Sequence, residues 1–165
     1  MNRAGFYRAA FTNPFAIRAL LWSKLPLAAF AGLRVARLDE TGAEVTLPAG
    51  WKTQNPFGST YFAAQAMAAE MSTGAPALWF IERSGADVAS LVTALSAKFT
   101  RKATSKASFV FSDGAEMRAA IERATRSPEP VTFTARSIGT QRDGTRIAEF
   151  AVEWSFKRRE RDATP

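Results

Sequence analysis

Across the 29 residues from Thr53 to Ile81 the chain carries one charged side chain, Glu70. It stands in a run of alanines, methionines and aromatics, where lost hydration has no substitute except hydrogen bonds. A carboxylate so placed needs a raised pKa or a fixed partner, and either condition suits a general base or a nucleophile. The same residue could instead bond a neighbouring backbone or subunit and do no chemistry. Upstream, the free amides of a helix start near Tyr61 to Ala63 can stabilise a developing oxyanion. A second feature is a basic turn. From Val88 to Ser112 there is no acidic residue, while Lys98, Arg101, Lys102 and Lys106 supply four positive charges. It is either an anion contact or a solvated hairpin end.

Composition removes most other chemistry. The sequence has no cysteine and no histidine, which excludes disulfides, thiolate or imidazole metal sites, and Ser-His-Asp or Cys-His nucleophiles. Proton transfer then falls to a carboxylate, a lysine, a tyrosine or the backbone. The net charge is +7 and the pI about 10.4, so an anionic ligand, surface or nucleic acid attracts the chain. No helix-turn-helix, zinc or aromatic strand motif accompanies that charge, and nucleic acid is not expected as a partner. Trp22, Trp51, Trp79 and Trp154 read as packing residues. Arg8 and Arg18 flank apolar residues within 6–22, which would suit a membrane surface, but packing of that segment on its own domain is the preferred reading. The stretch Thr53 to Ala69 is too polar to span a bilayer, and no signal-peptide pattern stands out. The expected location is cytoplasmic, without integral membrane association.

The elements that must position these residues follow from periodicity. Asn13-Pro14 can open a helix carrying Phe15, Ala19 and Trp22, which Pro26 ends. Phe30–Leu38 and Ala43–Leu47 suit strands about an Asp39-Glu-Thr-Gly42 turn. Ser59 or Thr60 can cap a helix that is apolar all round, hence buried, and Gly74-Ala75-Pro76 stops it. Val88–Thr100 and Ala107–Phe111 are strand-like. Asp113 and Glu116 form a capping-box pattern ahead of a helix with Met117, Ala120, Ile121 and Ala124 on one stripe. Val131–Ile138 and Ile147–Phe156 make a hairpin about Arg142–Thr145. Ala148, Phe150, Val152, Trp154 and Phe156 alternate with polar residues, as in an antiparallel sheet with one solvated face. The domain plan is a helical lead-in over 1–26, a single α+β domain over 27–158, and a loose basic tail over 159–165.

The run Asn55-Pro-Phe-Gly-Ser-Thr-Tyr-Phe-Ala-Ala-Gln-Ala-Met-Ala-Ala-Glu70 resembles the central-helix signature of hot-dog-fold acyl-CoA thioesterases. The likeness is strongest to an uncharacterised bacterial thioesterase-like branch and extends over residues 13 to 157. It implies a long antiparallel sheet wrapped around a central buried helix, with an N-terminal helix and an extra helix between strands. It also implies that Glu70 is the catalytic acid of the family, that the Phe62 amide polarises the thioester carbonyl, and that Asn55 helps place the nucleophile. Thr73, or its neighbour Gly74, falls near a residue that holds the attacking water. Gly58, Ser59 and Tyr61 fall beside the substrate, and Lys98, Arg101, Lys102 and Lys106 fall where coenzyme A phosphates could bind. The chain departs from many members in carrying Tyr61-Phe62-Ala63 where they have His-Gly-Gly.

The resemblance implies hydrolysis of an acyl-CoA or related thioester, with no metal and no organic cofactor, in a homodimer or homotetramer. The competing expectation is a non-catalytic acyl-CoA or fatty-acyl binding module of the same fold. Dehydratase and hydratase relatives depend on a histidine this chain lacks.

Overall fold

The computed structural model describes residues 13–159. Helix α1 (Pro14–Lys24) opens as its sequence predicts, with the Asn13 side chain accepting from the Phe15 amide at 2.9 Å. Pro26 does not simply end that helix. It opens a second one, α2 (Pro26–Ala31), because its fixed φ and missing N–H suit a first helical turn. The strand expected from Phe30 therefore begins only at Arg34, after Gly32 turns the chain at φ +82°.

Strands β1 (Arg34–Asp39) and β2 (Gly42–Leu47) form a hairpin, followed after a loop by the long helix α3 (Phe62–Ser84). Then come β3 (Val88–Phe99), β4 (Ala107–Phe111), α4 (Gly114–Arg126), β5 (Val131–Gln141) and β6 (Arg146–Arg158). The six strands make one antiparallel sheet in the order β1-β2-β4-β5-β6-β3. Helices α3 and α4 pack on one face of this sheet, giving the α+β hot-dog arrangement. On β6 the side chains of Ala148, Phe150, Val152, Trp154 and Phe156 are buried while Glu149 and Glu153 are only half-buried, the alternation the sequence predicts.

Small residues let α3 lie close to the sheet. Ala64, Ala68 and Ala69 are buried with Val45, Phe109 and Phe150 in one core cluster. Phe80 and Ile81 join Phe111, Met117, Ile121 and Phe156 in a second. That second cluster explains why α3 does not stop at Gly74-Ala75-Pro76 but continues to Ser84 with Pro76 inside it. An interior proline costs about 3 kcal/mol, whereas burying Phe80 and Ile81 returns roughly 1.5–3 kcal/mol each.

Two expected caps do not form. Neither Ser59 nor Thr60 caps α3; Tyr61 takes that position without a side-chain bond. Asp113 precedes α4 but makes no capping hydrogen bond. Its role passes to tertiary contact: Gly114 donates its amide to the Thr41 carbonyl at 3.0 Å, and a Cβ there would stand 2.3 Å from the Glu40 carbonyl oxygen. Most of the expected tail lies outside the described residues, as do residues 1–12 of the lead-in. Arg159, at the tail's start, is tied to Asp87 through backbone and side chain.

Candidate active site

The loop before α3 is held by its own polar groups. The Asn55 side-chain oxygen accepts from the amides of Phe57 at 3.0 Å and Ser59 at 3.2 Å. Between them Gly58 adopts φ +70°, a left-handed turn that favours glycine. Thr60 donates its amide to the Ala103 carbonyl and Tyr61 to that of Thr53, both at 2.7 Å, so the helix start is pinned from both sides. The amides of Ala64 and Gln65 turn back to the Tyr61 carbonyl. Among the described residues, those of Phe62 and Ala63 remain without acceptors.

Around this helix start lies an open cavity of about 370 Å³ lined by Asn55, Ser59, Thr60, Phe62, Gln65, Phe99, Arg101 and Lys102 among others. The structure thus brings Asn55, Ser59 and Phe62 together with half of the basic turn. Lys98 lies outside, opposite Glu149 in the β3–β6 register, and Lys106, exposed before β4, is outside too. Tyr61 stacks edge-on against Phe62, with ring centroids 4.9 Å apart, and Phe62 in turn against Phe99 at 6.5 Å. Gln65 is a member that sequence reasoning missed. It is buried, donates from Nε2 to the Thr60 carbonyl at 3.1 Å, and leaves Oε1 without a partner.

Glu70 lies eight residues beyond Phe62, about 12 Å further along the helix axis at 1.5 Å per residue. Its half-buried carboxyl lines two cavities that flank the joint of α1 and α2. One, of about 300 Å³, is walled by Leu20, Leu21, Leu25, Met71, Leu78 and Trp154 among others. The other, of about 250 Å³, is walled by Leu25, Leu27, Met67 and Met71. Lys24 lines both cavities, yet no cation or donor among the described residues pairs with the carboxyl. Burial therefore pushes its pKa up. Gly74 makes room for it: a Cβ there would stand 3.0 Å from Glu70 Oε1 and 3.2 Å from the Trp154 ring.

Thr73 does not face these cavities. It is fully buried on the sheet side, where its hydroxyl donates to the Glu70 carbonyl at 2.9 Å and accepts from Trp154 Nε1 at 3.0 Å. One residue earlier Ser72 Oγ meets Ser137 Oγ at 2.8 Å. These two hydroxyls fix the rotation of α3 on β5 and β6, and so the direction in which Glu70 points. A clue to the Trp154 contact was present in the sequence, since a buried indole N–H must find an acceptor. Among the described residues no group of three or more acidic side chains could hold a metal ion, and no helix is long and apolar enough to cross a membrane.

A family model described as a domain of unknown function, DUF4442, matches residues 15–155. No curated protein matches the sequence. Solved structures share the fold. A Pseudomonas aeruginosa protein of unknown function, named a probable thioesterase, superposes with a TM-score of 0.73 at 21% identity, covering 89% of this chain and 97% of its own. A Chlorobaculum tepidum protein of unknown function gives 0.75 at 12% identity, with coverage of 88% and 97%. A Haemophilus influenzae thioesterase gives 0.64 at 12% identity, with coverage of 92% and 95%.

Proposed function

The chain belongs to the DUF4442 family, and from that premise we propose that it hydrolyses an acyl thioester, with acyl-CoA as the substrate class, by a carboxylate-dependent and metal-free route. The observation that carries this reading is the Glu70 carboxyl, half-buried, without an ion-pair partner among the described residues, and open to apolar cavities. Burial raises its proton affinity, which makes it a better base than an exposed glutamate. In this reading Glu70 either takes a proton from water, whose oxygen attacks the carbonyl carbon, or attacks that carbon itself to form a mixed anhydride that water then hydrolyses. The C–S bond breaks, and the departing thiolate is protonated, by the Glu70 carboxylic acid in the first route and by water in the second. The Phe62 amide holds the carbonyl oxygen as it gains charge. Asn55 keeps the loop before α3 in place, and Thr73 sets the rotation of the helix that carries Glu70.

One chain cannot deliver both groups to one carbonyl, because about 12 Å of helix separates them. The proposal therefore needs a second copy, so that Glu70 of one protomer meets the helix start of another. Strand β3 supports such pairing: it ends the strand order and exposes Leu91, Leu95 and Phe99, and an uncovered edge strand is a template for another strand. A species of only 18.0 kDa in sedimentation at micromolar concentration would overturn this part.

The deciding experiment is a panel of acyl-CoA esters with release of free thiol as the readout. The wild type should release thiol, and Glu70→Gln should do so roughly 10²–10⁴-fold more slowly. A second reading, an acyl-CoA binding module without catalysis, is favoured by the Tyr61–Phe62–Phe99 stack over the approach to the helix amides. Saturable binding without thiol release would establish it. The cytoplasmic location remains part of the same proposal.

A further inference from the structure

We propose that the outward face of α1 and α2 docks on an anionic lipid bilayer. Helix α1 carries large apolar side chains on both sides. Leu20 and Leu21 are buried against the domain, while Phe15 is 85% exposed and Trp22 52% exposed. The described residues cover the Leu20 and Leu21 side and leave the two large aromatic rings of the other side in solvent. Phe15, Arg18, Ala19 and Trp22 recur at i, i+3, i+4 and i+7 and are all exposed, so they form one stripe. Leu27 and Phe30 extend the exposed apolar surface on α2. Phe30 meets Trp51 edge-on at 6.3 Å, and the Lys52 ammonium sits 4.7 Å from the Phe30 ring centre. A shallow cavity of about 270 Å³ joins the two helices, with Phe15, Trp22, Ala29, Arg18 and Arg34 in its lining.

Charge selects the occupant. The first acidic residue of the chain is Asp39, whereas Arg18, Lys24, Arg34 and Arg37 precede it within the described residues. Arg37 is paired with Asp39; Arg18, Lys24, Arg34 and Lys52 have no carboxylate within ion-pair distance among the described residues. Aromatic rings interleaved with unpaired cations suit the headgroup level of a bilayer. Each Lys or Arg near an anionic surface raises partitioning roughly fivefold. A second copy of the chain is the poorer occupant. An isologous contact would bring together two patches that each carry Arg18 and Lys24 without a carboxylate partner among the described residues. Ile17, Leu21 and Val35 line both this cavity and the one holding Glu70, so α1 separates the docking face from the Glu70 carboxyl.

Flotation of the full chain with vesicles tests this without reference to catalysis. Phosphatidylglycerol mixed into phosphatidylcholine should raise the bound fraction roughly tenfold or more over phosphatidylcholine alone, and salt should lower it. In a Trp51→Phe background, emission should shift to the blue on binding, and the shift should vanish when Trp22 is also replaced by Phe. Arg18→Glu with Lys24→Glu should abolish binding, and Phe15→Ser with Trp22→Ser should weaken it. Ala19→Glu, which trims no apolar contact, should weaken it as well and guards against loss by misfolding. Equal binding to both lipid mixtures, or binding that survives the charge reversals, would overturn the proposal. A loss of oligomeric mass in the Trp22 variant without vesicles would overturn it too, by making the face a subunit contact.

Discussion

Trp154 on β6 donates its indole N–H to the Thr73 hydroxyl on α3 at 3.0 Å, across 81 residues of sequence. That hydroxyl donates in turn to the carbonyl of Glu70 at 2.9 Å, so the sheet holds the turn that aims the carboxylate. Thr73→Val keeps the shape and removes the acceptor, leaving a buried indole N–H unsatisfied. The variant should lose about 1–3 kcal/mol in denaturant unfolding. Thr73→Ser retains the hydroxyl and should lose only about 1 kcal/mol, for one methyl group. Thiol release should follow the same order, serine well above valine.

Burial of Glu70 raises its pKa, and this fixes two signs. In the folded state the neutral acid is favoured, so the stability it contributes is present below the ordinary glutamate pKa and is lost as pH rises through the raised folded value. Glu70→Gln cannot ionise. It should match the wild type in stability under acid conditions and exceed it at pH well above the folded value, when both are followed by denaturant unfolding across pH. Hydrolysis should run the other way, rising as the carboxylate forms, with its midpoint above that of an exposed glutamate. A variant no more stable at high pH would mean that the carboxylate has a compensating partner.

Much of this fold was legible because two periodicities are strong. Alternation from Ala148 to Phe156 marks β6, and the spacing of Met117, Ala120, Ile121 and Ala124 marks α4. Glu70 was legible as the lone charge in an apolar run. What the sequence hid depended on distant partners. Pro76 reads locally as a stop, but the core formed by Phe80 and Ile81 with α4 carries the helix past it. Pro26 reads as an end yet begins a helix. The resemblance sets Thr73 near the residue that holds the attacking water, and its hydroxyl instead meets Trp154, a contact fixed by the angle of α3 on the sheet. The basic turn reads locally as one unit, but of its four cations only Arg101 and Lys102 share a groove with the α3 start.

That division yields a test of substrate binding. Arg101→Ala with Lys102→Ala should raise KM for an acyl-CoA several-fold with kcat nearly unchanged, because remote phosphates bind ground and transition states alike. The effect should shrink as salt rises. Lys98→Ala, outside the groove, should leave KM where it was. A pantetheine thioester, which lacks the nucleotide phosphates, should be indifferent to all three changes. If it responds equally, the groove does not hold the nucleotide.

The role assigned to the Phe62 amide can be isolated because of where it sits. Phe62 is the first residue of α3, the one helical position where proline costs little, since its N–H has no place in the helix ladder. Phe62→Pro therefore deletes the amide hydrogen while preserving the fold. Phe62→Ala removes the same ring and keeps the amide, so it serves as the control. If that amide binds the oxyanion, the proline variant should fall roughly 10²–10³-fold in kcat below the alanine variant, with closely similar unfolding midpoints. Alanine alone should lower kcat little, or raise it by opening the approach that the Tyr61–Phe62–Phe99 stack narrows. Equal rates in the proline and alanine variants would remove the amide from the mechanism and leave Ala63 as the remaining free donor of that turn.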